Sequence, residues 1–263
     1  MELNLKNHVV VVTGGASGIG RAVAAGFVEE GCKVAIWDAN PKVAEAAREL
    51  SNGGEAQVLG CVVDVAKQES VAAAVELTEK TLGAIEHLVH AAAIPSGKFG
   101  FPFTNLKPED WARVLEVNVM GMVNVAHAVG PLLTERKRGT MVFIASVAGQ
   151  VGSQTDPPYS ASKAANINFA QCLAKDLAGH GVRVNSVCPG MIKTPLNQGV
   201  WRASGDAASY EEWFDKKVQK MIPLGRGQSG ADIANMVVFL SSERAAQVTG
   251  QTINVDGGYV MHW

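Results

Sequence analysis

The chain has 263 residues, of which 47% are hydrophobic and 18% charged, enough apolar side chains for the core of one α/β domain. The formal net charge is −2 and the Lys and Arg residues are scattered, which argues against nucleic acid or an anionic membrane as a partner. The opening "MELNLKNHVVVV" is too weakly apolar for a signal peptide, and no 18 apolar residues follow one another, so we expect a cytoplasmic protein. Four dispersed cysteines without C-x-x-C spacing predict buried thiols rather than a zinc site or disulfides: Cys32, Cys61, Cys172 and Cys188.

Seven short apolar runs predict strands, in chain order HVVVVTG, KVAIWD, AQVLGCVVDV, EHLVHAA, GTMVFIAS, VRVNSVCPG and QTINVDGG. Such nearly continuous apolar runs are typical of parallel strands that are covered on both faces. Helical patterns lie between them, at about 18–30, 41–51, 67–82, 108–135, 159–179 and 230–240. The alternation predicts a Rossmann-type doubly wound parallel sheet of about seven strands, in a single α/β domain over residues 1–263.

The first predicted strand runs into the turn "TGGASGIG", where three glycines are found at Gly14, Gly18 and Gly20. Without Cβ atoms, this backbone can bend tightly and let a pyrophosphate approach the N–H groups at the helix start, including those of Ser17 and Ile19. A plain turn at a helix entry can use the same glycines. Because the pattern here closes the first strand of an alternating chain, we interpret it as a dinucleotide-binding turn.

A tyrosine and a lysine lie one helical turn apart in "PPYSASKAANINFA", at Tyr159 and Lys163. A phenol has a pKa of ~10 and is a poor base at neutral pH, whereas an ammonium on the same helix face can stabilise the phenolate. An ordinary exposed i, i+4 pair has the same spacing. The pair therefore predicts acid/base chemistry only in the company of other catalytic side chains.

Motifs with further candidate catalytic side chains occur along the whole chain. The stretch "VLEVNVMG" contains Asn118, "FIASVAG" contains Ser146, and "VCPGMIKT" and "VTGQTINVDGG" follow the tyrosine and lysine. Together with the G-x-x-x-G-x-G turn after Thr13, these motifs resemble those of the short-chain dehydrogenase/reductase family. The resemblance implies an NAD(P)-binding enzyme.

By this resemblance, Tyr159 is the general acid/base, and Lys163 lowers its pKa and holds the nicotinamide ribose. Ser146 hydrogen-bonds the reacting oxygen, where charge develops. Asn118 resembles the residue that holds a water linking the lysine to solvent, although a helix asparagine at a local bend looks the same in sequence.

The cofactor expected is NAD. Asp38 ends the second strand, where an acid accepts hydrogen bonds from the adenosine ribose and repels a 2′-phosphate, although a polar residue leading into a helix is an alternative. Ser17 and Ala39 stand where NADP-using relatives usually carry a basic residue. The resemblance implies further cofactor contacts at Asp64 and Val65 beside the adenine, at Ala91 beside the ribose, and at Ile192 and Thr194 beside the carboxamide. For Asp64 a solvated helix N-cap is the alternative.

The stretch "HAAA", residues 90–93, departs from the N-N-A-G common in the family. Backbone contacts survive a side-chain change, so Ala91 can still meet the ribose. His90 can be a ligand or proton relay, but a hydrogen-bonded structural histidine is the interpretation we favour.

Residues 188–229 form the one long irregular region, which we interpret as the substrate-binding loop or lid. It contains four aromatic residues, Trp201, Tyr210, Trp213 and Phe214, for which a lid, a packed helix and a subunit contact stay open. The loop between Ser146 and Tyr159 offers polar groups for a hydroxylated substrate: Gln150, Ser153, Gln154 and Asp156.

We therefore expect an oxidoreductase that transfers a hydride between NAD(H) and a small secondary alcohol or polyol, or the matching ketone. The alternatives are a 3-oxoacyl-thioester reductase of the same family and a non-catalytic nicotinamide-binding module. We expect no metal, and we expect a homotetramer or dimer, because the apolar helix faces exceed what one sheet face needs and relatives are commonly such oligomers.

Overall fold

One parallel sheet organises the part of the chain that the computed structural model describes, namely residues 2–54, 56–98, 100, 102–152 and 155–261. Its strands are β1 Val9–Thr13, β2 Lys33–Asp38, β3 Val58–Val62, β4 Ile85–His90, β5 Gly139–Ile144, β6 Val182–Pro189 and β7 Thr252–Val255. They lie in the order β3-β2-β1-β4-β5-β6-β7 and all pair in parallel. The order reverses between β1 and β4, which opens a crevice at the carboxyl ends of the strands. The predicted doubly wound Rossmann-type sheet in a single domain is confirmed.

Helices cover both faces of the sheet. They are α1 Gly18–Glu29, α2 Val43–Leu50, α3 Gln68–Leu82, α4 Glu109–Leu115, α5 Gly121–Arg136, α6 Pro157–Leu177, α7 Pro195–Ser204, α8 Tyr210–Met221 and α9 Gly230–Ser241. A π turn over Glu116–Met120 joins α4 to α5, so the helix predicted at 108–135 is continuous. The region 188–229 is not an irregular loop, because α7 and α8 lie within it.

The core consists of two apolar layers, one on each side of the sheet. Val9 and Val11 of β1 pack into the layer under α3, α5 and α6, whereas Val10 and Val12 pack into the layer under α1, α2 and α9. This alternation follows from the two-residue period of a strand. It explains why the predicted strands are apolar at successive positions.

The continuous helix Glu109–Arg136 is long and apolar enough to cross a membrane. However, 56% of its apolar stretch is buried inside the fold, where α5 packs against α3 and β4. Its apolar side chains therefore serve the core of the domain.

Three of the four cysteines are buried, as predicted: Cys32, Cys61 and Cys188. The prediction for Cys172 is wrong, since this thiol is exposed on α6. An apolar stretch within a helix includes positions that face away from the sheet, and position 172 is one of them.

Candidate active site

The carboxyl ends of β1, β2, β4, β5 and β6 border one cavity of about 960 Å³. Parallel strands bring the residues that follow them to the same edge, which is why motifs far apart in sequence meet here. Every predicted site residue except Asn118 lines this cavity: Gly14, Ser17, Gly18, Ile19, Gly20, Asp38, Asp64, Val65, Ala91, Ser146, Tyr159, Lys163, Ile192 and Thr194.

The glycine turn presents free N–H groups to the cavity. Helix α1 begins at Gly18, and its N-cap Ser17 makes no side-chain hydrogen bond to the first turn, which contains no acidic residue. Gly14 has φ +65, and a Cβ there would lie 2.9 Å from the backbone of Ala92. The open donors, the positive end of the helix dipole and the bare backbone fit the pyrophosphate of a dinucleotide.

Asp38 ties the glycine turn to the end of β2. One carboxylate oxygen accepts a hydrogen bond from the Ala16 N–H at 3.0 Å, and the other accepts one from the Asn40 N–H at 2.9 Å. A carboxylate has about four acceptor positions, so the side chain keeps capacity for a ribose diol. Its place at the cavity wall fits that contact.

The residues after β3 form the neighbouring wall. Asp64 accepts a hydrogen bond from the Ala66 N–H at 3.1 Å and lies 3.9 Å from the Arg113 guanidinium. Val65 is buried, and its carbonyl accepts a hydrogen bond from Asn124 Nδ2 at 2.9 Å. Buried contacts on the far side therefore fix this part of the cavity wall, against which an adenine would lie.

His90 lies behind the cavity and links β4 to β1. The Thr13 Oγ1 accepts hydrogen bonds from the N–H groups of Ala91 and Ala92, both at 3.1 Å, and lies 3.0 Å from His90 Nδ1. Because the two lone pairs of the Thr13 oxygen accept these N–H groups, its hydroxyl proton points to Nδ1, which is then the unprotonated nitrogen of a neutral imidazole. Burial, followed by the charge of Lys163, lowers the pKa of His90 to about 3. The favoured interpretation of His90 as a structural residue agrees with this geometry.

Three catalytic candidates meet at the end of β5 and the start of α6. The Ser146 side chain lies close enough to the Tyr159 phenol to affect its pKa, and the Lys163 Nζ lies 5.5 Å from the centroid of the Tyr159 ring. The same Nζ donates to the Ile144 carbonyl at 2.6 Å. Asp156 caps α6 by accepting from the Tyr159 N–H at 3.3 Å. The end of β5 and the first turn of α6 therefore position the three side chains.

Burial dominates the electrostatics of this cluster. Burial, with the Asp156 carboxylate second, raises the pKa of the Tyr159 phenol, while the hydrogen bond with Ser146 acts in the opposite direction. Lys163 is not among the causes of this shift, so the prediction that its ammonium lowers the pKa of Tyr159 stays a prediction. Burial also lowers the pKa of Lys163 to about 8. At neutral pH the pair is thus a protonated phenol and an ammonium.

Asn118 is buried one layer behind the cavity, in the π turn between α4 and α5. Its Nδ2 donates to the Ile94 carbonyl at 2.9 Å and its Oδ1 accepts from the Ile94 N–H at 2.8 Å. The Nδ2 also donates to Ser162 Oγ at 3.0 Å. The geometry agrees with the alternative of an asparagine at a helix irregularity, which here holds the Ile94 wall of the cavity.

Thr194 and Ile192 lie where β6 leads into α7. Thr194 caps α7 by accepting from the Asn197 N–H at 3.2 Å, and Asn197 Nδ2 donates to the Ile192 carbonyl at 3.0 Å. The two residues therefore form a fixed turn at the cavity wall, beside the catalytic cluster.

The aromatic residues of 188–229 pack against one another instead of lining the cavity. The Tyr210 ring centroid lies 5.9 Å from that of Trp201, 6.1 Å from that of Trp213 and 6.0 Å from that of Phe214. The three alternatives were a lid, a packed helix and a subunit contact, and within this chain the ring contacts agree with the packed helix. Other residues of α7 and α8 face the cavity, namely Asn197, Gly199, Val200, Lys217 and Met221.

The predicted polar substrate wall is only partly formed. Gln150 makes two hydrogen bonds with the Asn254 amide, at 2.7 and 2.9 Å, and does not line the cavity. Asp156 does line it, but accepts from the Ser96 N–H at 2.8 Å as well as from Tyr159. Ser153 and Gln154 lie outside the described residues.

Known proteins resemble this chain over nearly its whole length. A family model described as enoyl-(acyl carrier protein) reductase matches residues 14–260. The chain is 38% identical over 261 residues to 2-(S)-hydroxypropyl-CoM dehydrogenase 3 of Xanthobacter autotrophicus, with 98% of each chain covered. It is 32% identical over 259 residues to the 3-oxoacyl-(acyl-carrier-protein) reductase of Thermotoga maritima, with 98% of this chain and 100% of the relative covered.

A solved structure extends the likeness to three dimensions. The crystal structure of L-sorbose reductase from Gluconobacter frateurii, complexed with NADPH and L-sorbose, matches with a TM-score of 0.92 at 31% identity, over 100% of both chains. The chain therefore belongs to the short-chain dehydrogenase/reductase family of oxidoreductases, whose hydride transfer uses a nicotinamide cofactor.

Proposed function

We propose that this enzyme transfers a hydride between NAD(H) and a small secondary alcohol or polyol, or the corresponding ketone. The observation that carries the proposal is the Ser146, Tyr159 and Lys163 cluster, placed in the same cavity as the glycine turn and Asp38. A bound nicotinamide supplies or accepts the hydride, and the protein positions and polarises the substrate.

The protonation states suit carbonyl reduction at neutral pH. The protonated Tyr159 phenol donates its proton to the carbonyl oxygen as that oxygen gains charge, and Ser146 donates a second hydrogen bond to it. Lys163 keeps a positive charge beside the phenol, which favours the phenolate left after proton transfer. In alcohol oxidation the same groups work in reverse order.

The preference for NAD rests on Asp38. A carboxylate held by two backbone N–H groups cannot turn away from a ribose 2′-phosphate, so it repels NADP while accepting the hydroxyls of NAD. Ser17 and Ala39, which also line the cavity, provide no compensating cation. The L-sorbose reductase structure contains NADPH, so this preference is a proposal about this chain.

A second candidate is reduction of a 3-oxoacyl thioester. The identity to the Thermotoga maritima reductase favours it. The complex of L-sorbose reductase with its sugar substrate favours the polyol class instead, at a similar identity.

The test is a screen of the purified enzyme with polyols, hydroxy acids and small ketones, followed by NADH absorbance. A diol or polyol is compared with a long-chain 3-hydroxyacyl thioester by kcat/KM. A preference of about tenfold or more for the thioester, equal to ~1.4 kcal/mol, would overturn the proposal and establish the second candidate.

We also propose that the enzyme is a homotetramer or homodimer. Two exposed apolar side chains near the α4–α5 helix support this, with Phe103 79% and Met120 50% exposed. Burying apolar side chains of this kind against a second copy of the chain is favourable. Light scattering at micromolar concentration tests it, and a clean monomer would contradict it.

A further inference from the structure

Among the described residues, three cationic side chains line the cavity, and they differ in the hydrogen bonds and salt bridges that they form. Lys163 donates to the Ile144 carbonyl at 2.6 Å. Arg113 makes a salt bridge with Glu116 at 2.7 Å and lies 3.9 Å from Asp64. Lys217 forms neither a salt bridge nor a hydrogen bond with any described residue.

Lys217 is nevertheless held in one place. Its ammonium lies 4.1 Å from the centroid of the Trp213 ring, over the ring face. Trp213 is buried and stacks on Tyr210, so the platform under the ammonium is rigid. Burial lowers the pKa of Lys217, and the exposed Asp206 opposes this shift from outside the cavity. A half-buried cation without a counter-ion is costly, and an anion brought to it recovers part of that free energy.

None of the described carboxylates that line the cavity forms a salt bridge with Lys217. Asp38, Asp64 and Asp156 accept hydrogen bonds from backbone N–H groups. The residues of α7 and α8 that line the cavity are Asn197, Gly199, Val200, Lys217 and Met221. Among them Lys217 carries the single charge.

We infer that Lys217 is a specificity-determining residue, and that the substrate carries a compact anionic group, such as a carboxylate, sulfonate or phosphate, which binds the Lys217 ammonium while the carbonyl or carbinol lies at Tyr159. The inference rests on the proposed function, because it names the substrate class of the same site. It narrows the proposed substrates from small secondary alcohols and ketones in general to those that carry a negative charge away from the reacting carbon.

The kinetic test uses ketones that differ only in that charge. Acetoacetate is compared with 4-hydroxybutan-2-one, and 4-oxopentanoate with 5-hydroxypentan-2-one, since each neutral partner has a hydroxymethyl group in place of the carboxylate. Sulfonate and phosphate analogues distinguish among anionic groups. Wild type should reduce the best anion with a kcat/KM about tenfold or more above that of its neutral partner, as expected for a charged hydrogen bond.

Three variants assign the effect to the ammonium. Lys217→Met should raise KM for the anionic ketone about tenfold or more while changing neutral ketones little, and Lys217→Arg should retain most of the preference. Lys220→Met removes an exposed lysine of the same helix and is the matched control. Equal kcat/KM for charged and neutral partners, or equal losses for both in Lys217→Met, would overturn the inference while leaving the proposed function in place.

Binding gives an answer that does not depend on turnover. In the presence of NADH, the anionic ketones should raise the Tm of wild type and Lys220→Met but not that of Lys217→Met. If none of the ketones is reduced, the proposed function fails, and the Tm shifts still decide the inference. No shift with any anion, or equal shifts in wild type and Lys217→Met, would refute it.

Discussion

Asn118 hydrogen-bonds both backbone groups of Ile94, donating to its carbonyl at 2.9 Å and accepting from its N–H at 2.8 Å. Ile94 follows β4 and lines the cavity, so this pair of bonds attaches the cavity wall to the π turn between α4 and α5. An asparagine suits the position because its amide has an acceptor oxygen beside an NH2 group, whose second N–H donates to Ser162 Oγ. Asn118 is thus a positioning residue.

Asn118→Ala should lower the free energy of unfolding by about 1–3 kcal/mol, because it leaves two part-buried backbone groups unsatisfied. Urea denaturation measures the change, and Asn168→Ala, at an exposed position of α6, is the control. If the two variants have equal stability, the bonds to Ile94 do not contribute as argued.

Tyr159→Phe should abolish turnover while NADH binding stays close to that of wild type, because the change removes only the proton donor. Stopped-flow or steady-state rates and a fluorescence titration of NADH measure the two effects. Tyr210→Phe, in the aromatic cluster outside the cavity, should keep its activity. A near-normal kcat in Tyr159→Phe would refute the proposed acid/base residue.

Asp38 governs the third prediction, which concerns cofactor choice. Wild type should have a higher kcat/KM with NAD than with NADP, and Asp38→Asn should narrow the difference, since it removes the charge but keeps an acceptor for the Ala16 N–H. Asp38→Ala should narrow it too, with weaker binding of both cofactors because the glycine turn loses its anchor. An inherent preference of wild type for NADP would contradict the argument.

The residues whose place at the cavity follows from sequence are those with a characteristic local spacing. The glycine turn must follow β1, and Tyr159 and Lys163 must share a helix face, so the parallel sheet brings them to one cavity. The protonation of Tyr159 was not predictable in this way. It depends on burial and on Asp156, which reaches the site only through the cap of α6.

The region 188–229 shows where sequence patterns end. Its helices α7 and α8 each have an apolar face, but they are polar on average and lie among several Gly and Pro residues, so the whole region is interpreted from sequence as a loop. Of the three lysines near the end of α8, Lys217 lies four residues after Trp213 on the buried side of the helix, whereas Lys216 and Lys220 are exposed. The sequence does not show that this side of α8 borders the cavity, because that is a tertiary contact.

The last prediction concerns acid stability and comes from His87 and His90, both buried. The pKa of each is lowered to about 3, and desolvation by burial is the main cause. Nearby groups that can carry positive charge lower it further, namely His8, Arg183 and Arg138 for His87 and Lys163 for His90. In the unfolded chain a histidine has a pKa of about 6.5. Between these two values the unfolded state binds the proton and the folded state does not, so stability is present above pH 6.5 and is lost as the pH falls towards 3.

Each of these histidines should therefore remove about 2 kcal/mol from the free energy of unfolding between pH 7 and pH 5. His90→Asn removes one titrating group and retains a short polar side chain that can accept from Thr13, so its stability should fall by about 2 kcal/mol less than that of wild type over the same interval. Urea denaturation at the two pH values measures this difference, and His127→Asn, at an exposed position of α5, should behave as wild type. An unchanged pH dependence in His90→Asn would mean that His90 is protonated in the fold, and then the Thr13 hydroxyl cannot be donating to Nδ1.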